Sequence, residues 1–153
     1  MTVVDYTLRS PCKREEWIAF HAIRRKVLFE NRGEVGVYRE NHPDDFELGH
    51  HPLILVHKDA TIGVIRVDVT GQVAWLRRVA IREDLQRCGH GRILVQLAEA
   101  FARDNGCNEV RSNVAADAVG FYERCGYTRD VAIERSESVP MRKSLALCRN
   151  GPT

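Results

Sequence analysis

The sequence predicts a mixed α/β fold, with helices packed on a sheet that is partly antiparallel and partly parallel. Three observations predict it. Strand-like and helix-like segments alternate in the order β-α-(irregular)-β-β-β-α-β-α-β-β. Three consecutive strand candidates are joined by short turns, which makes them antiparallel neighbours. A strand, a helix and another strand then follow, a βαβ crossover whose two strands lie parallel.

Residues Val3 to Leu8 read as a short strand closed by Ser10-Pro11. From Lys13 to about Asn31, Trp17, Ile18, Phe20, Ile23, Val27 and Leu28 recur near helical spacing, and Gly33 supplies a stop. Glu34 to Gly49 mixes Gly, Asn, Pro and acids without a period, so it reads as loop or irregular helix. The runs "PLILVH", "IGVIRVDV" and "VAWLRRVAI" are strands, with Lys58-Asp59 and Thr70-Gly71 as the turns between them. His90 to Asn105 is amphipathic, with Ile93, Leu94, Leu97, Ala98 and Phe101 on one stripe and Gly106 as its stop. "CNEVRSNV" is a strand and "AADAVGFYERCG" a helix, and two last strands fall around "TRDVAI" and "VPMRKSLAL".

Composition sets the bounds. At 153 residues the chain is expected to form one domain spanning residues 1–153. Apolar residues at 44% and charged residues at 29% are ordinary for a soluble globular protein. With 23 basic and 21 acidic residues interspersed, no strong field points to nucleic acid or to a membrane surface. Cys12, Cys88, Cys107, Cys125 and Cys148 are scattered with no C-x-x-C pair, which argues against a zinc ribbon or disulfide framework and for a reducing compartment. No signal peptide or membrane span is expected from the apolar runs, and the cytoplasm is the expected location.

Gly89 and Gly91 stand where the helix from His90 begins. A strand running into glycine-rich backbone at a helix start offers unpaired N–H groups and the positive end of the helix dipole, a site suited to phosphate. A Walker A loop would need Gly-Lys-Ser/Thr, but Arg92-Ile93 follows Gly91. A dinucleotide fingerprint would need a third glycine where Leu94 stands. "QRCGHG", Gln86 to Gly91, instead resembles the Gln/Arg-x-x-Gly-x-Gly/Ala pyrophosphate loop of the GNAT family of N-acetyltransferases. "VAI" sits at that family's spacing before the loop. "AVGFYERCGY" is similar to its Ala-x-x-Phe-Tyr-x-x-x-Gly-Phe/Tyr signature, and "VPMRKSL" to its terminal strand.

The resemblance implies the acyl-CoA N-acyltransferase fold, in the order β-α-α-β-β-β-α-β-α-β-β, with acetyl-CoA held where two parallel strands splay apart. The backbone of Val79, Ala80 and Ile81 would pair with the pantetheine arm. The N–H groups from Arg87 through Cys88, Gly89, His90 and Gly91 to Arg92 would wrap the pyrophosphate, after Gln86 opens the loop. On this reading Gly89 and Gly91 are small so that phosphate oxygens can approach, and Arg87 and Arg92 add charge. Tyr122 would be the general acid toward the departing CoA thiolate, with Phe121 turned inward beside it. Asn113 would bond the cofactor's amides, although the family keeps its Asn where this chain has Ala115. The acceptor would be a primary amine on a small molecule or peptide, and pairing into a homodimer is a family habit.

The general base does not carry over. Histone-type members place a Glu where this chain has Trp75. Alternation sets Trp75, Arg77 and Val79 on one face of the strand and Leu76, Arg78 and Ala80 on the other, and neither face supplies a base. Glu40, Asp44, Asp45, Glu47, His50, His51 and a water chain remain candidates. Acids at Glu34, Glu40, Asp44, Asp45 and Glu47 are also expected to attract a cationic amine. His42, His50, His51 and His57 lack metal-ligand spacing, so no metal is expected. Cys88 falls at a helix start, where thiols become more acidic. Direct transfer, rather than a covalent step at Cys88, is the expected route. The rival reading is an acyl-CoA sensor without turnover.

Overall fold

The protein, seen here as a computed structural model, is described at residues 5–130 and 138–145. Val3 and Val4 of the first expected strand, the "VAI" of "TRDVAI", Ala146, Leu147 and Cys148 lie outside those residues. One seven-stranded sheet comprises β1 (Tyr6–Arg9), β2 (His50–His57), β3 (Ala60–Thr70), β4 (Val73–Ile81), β5 (Glu109–Ala115), β6 (Thr128–Arg129) and β7 (Ser138–Ser144). Its order is β1-β2-β3-β4-β5-β7-β6. The helices are α1 (Arg14–Ile23), α2 (His90–Asp104) and α3 (Val119–Arg124).

The meander forms where turn chemistry allows it. Lys58 and Asp59 both take positive φ, 50° and 64°, which matches the twist of a two-residue hairpin between β2 and β3. α2 then carries the chain back across the sheet, so β5 lies parallel to β4. Along α2, Ile93, Leu94, Val95, Ala98 and Ala102 are buried against the sheet. Leu94 and Val95 are fully enclosed, and each contributes about 1.5–3 kcal/mol by burial. A smaller core of Phe20, Ile23, Ile54, Val64 and Ala80 lies under α1 on the opposite face.

Two features depart from simple periodicity. The helix expected from Lys13 to Asn31 is α-helical only to Ile23, then widens to a π-helical turn over Arg24–Phe29 and tightens to a 3₁₀ turn over Glu30–Arg32. The widening coincides with Arg24, whose side chain is buried and paired with Asp45. In place of the second helix that the resemblance implies, the chain has these turns and a 3₁₀ turn at Pro43–Phe46 inside the irregular segment.

The second feature is a bulge in β4. Its register with β3 runs Val64↔Ala80 and then Arg66↔Arg77, so Arg78 and Val79 together oppose Ile65. Arg78 takes φ 56°. The extra residue reverses the alternation, a correction to the strict pattern. Leu76, Val79 and Ile81 belong to the large core under α2, and Ala80 belongs to the core under α1. Leu76 and Ala80 therefore face opposite ways.

Candidate active site

β4 and β5 pair only at Val73↔Glu109, Ala74↔Val110 and Trp75↔Arg111. Past Trp75 the two strands part, β4 continuing along β3 and β5 along β7. The expected splay is present, and a cleft of about 1000 Å³ opens in it. Val79, Ala80 and Ile81 form one wall and Ser112, Asn113 and Val114 the other. The Ser112 hydroxyl donates to the Leu76 carbonyl at 2.9 Å and ties the strands together at the fork. Asn113 is exposed at the cleft wall.

One end of the cleft is the loop from Gln86 to Gly91. Gln86 Nε2 donates to the Ile81 carbonyl at 3.0 Å and fixes the chain's exit from β4. Arg87 (φ 63°) and Gly89 (φ 89°) are both left-handed. Residues of that hand set among ordinary ones turn successive N–H groups toward one side, an anion-binding concavity. The N-terminus of the fifteen-residue α2 adds its dipole there. The two glycines have different causes. Gly89 caps α2 at positive φ, whereas a Cβ on Gly91 would stand 3.4 Å from the Phe121 ring. The ring would therefore leave a side chain at Gly91 little room to spare. Arg92 lines this end together with Arg124. Arg124 escaped the sequence reading, because nothing local says that α3 packs against the loop. Cys88 is exposed and its thiol meets the Gln86 carbonyl at 3.4 Å.

His90 is expected to offer only its backbone N–H. Its side chain is 7% exposed and turned away from the cleft, with Nδ1 2.8 Å from the Tyr6 hydroxyl. Burial and the neighbouring His57 push it below the usual histidine range. Only its backbone remains available at the loop.

Tyr122 and Phe121 do not divide simply into a cleft-facing and an inward-facing ring. Tyr122 is the more buried, at 6% exposed, while Phe121 is half-buried against Gly91. Both line the cleft, their rings edge to face at 5.2 Å. Burial pushes the Tyr122 hydroxyl up to about 12, and the nearby Ser112 hydroxyl offsets part of the rise.

The opposite end of the cleft is richer in arginine than in acid. Arg24 Nη1 donates to both Asp45 oxygens, at 3.0 and 2.8 Å, and Arg66 Nη1 reaches Asp45 at 3.3 Å. Burial alone would raise the Asp45 carboxyl, but Arg24 and Arg66 outweigh it and hold it below the usual range. Asp68 accepts from Arg66 Nε and Nη2, at 2.8 and 3.0 Å, and from Arg77 Nε at 3.2 Å. Arg78 has no acidic partner among the described residues; its guanidinium lies 5.2 Å from the Phe29 ring. Of the five acids in the loop only Asp45 is buried among these arginines; Glu34, Glu40 and Glu47 are exposed and Asp44 lines the cleft.

Geometry also sorts the candidate bases. Asp45 is locked in ion pairs, exposed Glu40 lies 3.6 Å from Arg25, and His51 packs edge-on to Phe101 at 5.1 Å. Glu47 is exposed, 3.8 Å from His50. Asp44 and His50 line the cleft. His50 Nδ1 is bonded to the Asp44 carbonyl, which only accepts, so that nitrogen carries the proton. Nε2 lies 3.5 Å from Asp68 Oδ2 and 3.8 Å from Glu47 Oε2. Trp75 stands where histone-type members place their Glu, with the Arg77 and Arg111 guanidinium groups 5.0 and 5.8 Å from its ring. Among the described residues no group of three or more His, Cys, Asp and Glu is placed to hold a metal, and no helix is long and apolar enough to cross a membrane.

Comparison with known proteins adds a sequence match to this geometry. The model of the acetyltransferase (GNAT) family matches residues 14–127. A protein of Bacillus subtilis (strain 168), provisionally named an acetyltransferase, is 27% identical over 108 residues, covering 69% of this chain and 71% of its own. The crystal structure of a provisionally named N-acetyltransferase from Lactobacillus plantarum is 25% identical, with a TM-score of 0.75 over 92% of this chain and 97% of its own. An N-acetyltransferase from Thermoplasma acidophilum, solved in complex with coenzyme A, shares the fold at a TM-score of 0.70 and 17% identity, over 94% of this chain and 99% of its own.

Proposed function

We propose, from the premise that the chain belongs to the acetyltransferase (GNAT) family, that it transfers an acetyl group from acetyl-CoA to a primary amine by direct attack. One observation carries the reading. Gln86, Arg87 and Gly91 of the loop at the start of α2, the parted strands β4 and β5, and Tyr122 line a single cleft.

The residues divide the work by position. The β4 edge that β5 abandons, at Val79, Ala80 and Ile81, lies along the pantetheine arm as an added strand would. The Ile81 carbonyl already accepts from Gln86, which leaves most of that pairing to Val79 and Ala80. Asn113 faces the arm's amides from β5. The N–H groups from Arg87 to Arg92 receive the diphosphate, and Arg87, Arg92 and Arg124 add charge at the rim.

In the reaction the amine nitrogen forms a bond to the thioester carbon, the C–S bond breaks, and the amine loses a proton while sulfur gains one. An ordinary lysine-type amine is protonated at neutral pH and must be deprotonated first. His50 Nε2, directly or through water, is the group we assign to that step. Tyr122 is the general acid. A phenol held near 12 is a weaker acid than a thiol near 8.5. Its main contribution is therefore a hydrogen bond to the charge growing on sulfur, made where water is excluded.

Tyr122→Phe tests the assignment. Loss of the hydroxyl should lower kcat by about 10²-fold and leave acetyl-CoA binding within about threefold. An unchanged kcat would remove Tyr122 from the chemistry. Tight acetyl-CoA binding by the parent protein with no transfer to any amine would favour a sensor instead.

A further inference from the structure

Behind the β4 bulge, a small cavity of about 230 Å³ adjoins the cleft and shares Arg66 and Arg78 with it. Its other polar lining includes Arg24, Tyr38 and Asp45. Arg24 is 2% exposed, yet its Nε and Nη2 have no hydrogen-bond partner among the described residues. Only its Nη1 is used, on Asp45. The Tyr38 hydroxyl pairs with His21 Nδ1 at 2.6 Å and lies close enough to Arg24 to accept from it as well. The guanidinium packs over the Phe20 ring, 4.2 Å from its centroid, which offsets part of the cost of taking charged donors out of water.

Arg78 repeats the pattern from the strand side. The bulge holds it at φ 56°, a conformation an L-residue adopts at a cost and one used to re-aim a side chain beside a site. It makes no ion pair or hydrogen bond among the described residues and lines both the cleft and the cavity. The charges do not balance. Arg24, Arg66, Arg77 and Arg78 meet only Asp45 and Asp68. Arg66 is already fully engaged by those two acids.

We propose that this cavity is a carboxylate subsite, and that the acceptor is an amine which also carries a carboxylate, an amino acid or small peptide. The inference rests on the transfer reading above and names its substrate class. A carboxylate offers two oxygens with about four lone-pair directions. It matches the planar guanidinium fork that Arg78 leaves open to both spaces. The cavity's size suits a carboxylate and a few attached atoms. The subsite joins the cleft at Arg78, two residues before Ala80, so an anchored carboxylate leaves the amine on the side where the thioester would lie.

The test follows CoA release with acetyl-CoA and four kinds of acceptor: the twenty amino acids, the carboxamides of those that react, spermidine and phosphoethanolamine. One or more amino acids should exceed their own carboxamides by about 10–100-fold in kcat/KM, the effect of one charge-assisted pair. Arg78→Asn keeps a residue that tolerates positive φ. It should raise KM for the amino acid by a similar factor, with KM for acetyl-CoA and turnover of the carboxamide unchanged. Arg78→Lys should recover part of the loss. Equal use of acid and amide, or a preference for spermidine or phosphoethanolamine, would overturn this inference and leave the transferase reading standing. CoA release with no amine at all would overturn both.

Discussion

Asp45 illustrates how little a residue's type says about its duty. In the sequence it is one acid among five in an irregular segment, and it reads as solvated charge or as a base. In the fold it is 4% exposed and gathers Arg24 and Arg66 around one carboxylate. Its removal strands the buried Arg24 and takes one of its two acids from Arg66. Asp45→Asn is therefore expected to cost about 3–5 kcal/mol, read as a lowered urea midpoint or Tm; a loss below about 1 kcal/mol would mean that the pairs are open to water. The individual residues legible from sequence were those whose cause is local. Gly89 was recognisable because a helix start after a strand needs a special backbone there. His90 was not, because the Tyr6 hydroxyl that holds it comes from 84 positions away. Arg78 was placed on a face by alternation, and nothing in "LRRVA" announces that the strand gains a residue there.

At the scale of elements, the three meander strands, α2, β5 and the crossover follow from period and turn chemistry, and they lie where the pattern puts them. The splay of β4 from β5 was expected only through resemblance. Its physical expression is pairing that stops at Trp75 and Arg111, near a bulge that no hydrophobic pattern encodes. The π-helical turn at Arg24–Phe29 was illegible for a related reason, since its apolar spacing is close to that of an α-helix. α3 and the turn after it place two buried tyrosines side by side, Tyr122 and Tyr127, with ring centroids 5.4 Å apart. Burial raises both hydroxyls, Tyr122 to about 12; for Tyr127 the hydrogen-bonded Glu99 carboxylate adds to the rise. In the unfolded chain both would lose their protons near pH 10. Between pH 10 and 12 the unfolded state thus holds fewer protons than the folded one, and stability falls as pH rises. Tyr122 alone accounts for about 3 kcal/mol over that window. Urea unfolding at pH 8, 10 and 11.5 should show the decline, and Tyr122→Phe should make it shallower while Tyr127 keeps its share; an identical slope in the variant would place the cause elsewhere.

Across the whole molecule, charge is close to balanced, at +2, so no global field selects a partner and recognition falls to the cleft. One end carries backbone donors, the dipole of α2 and exposed arginines, and suits a diphosphate. The middle carries Tyr122 behind a fork lined by apolar side chains. The far end carries His50 and an excess of guanidinium groups. The division matches a two-substrate transfer enzyme of the family matched over residues 14–127. The central claim is that the loop from Gln86 to Arg92 and the β4–β5 fork bind an acyl-CoA. Thermal unfolding with acetyl-CoA, CoA, NAD and ATP in parallel tests it most directly. A ligand at 100 times its Kd adds about 2.7 kcal/mol, or roughly 5–10 °C for a chain of this size. The account predicts that rise with acetyl-CoA and CoA and none with NAD or ATP. No shift with the CoA species, or an equal shift with NAD or ATP, would contradict it.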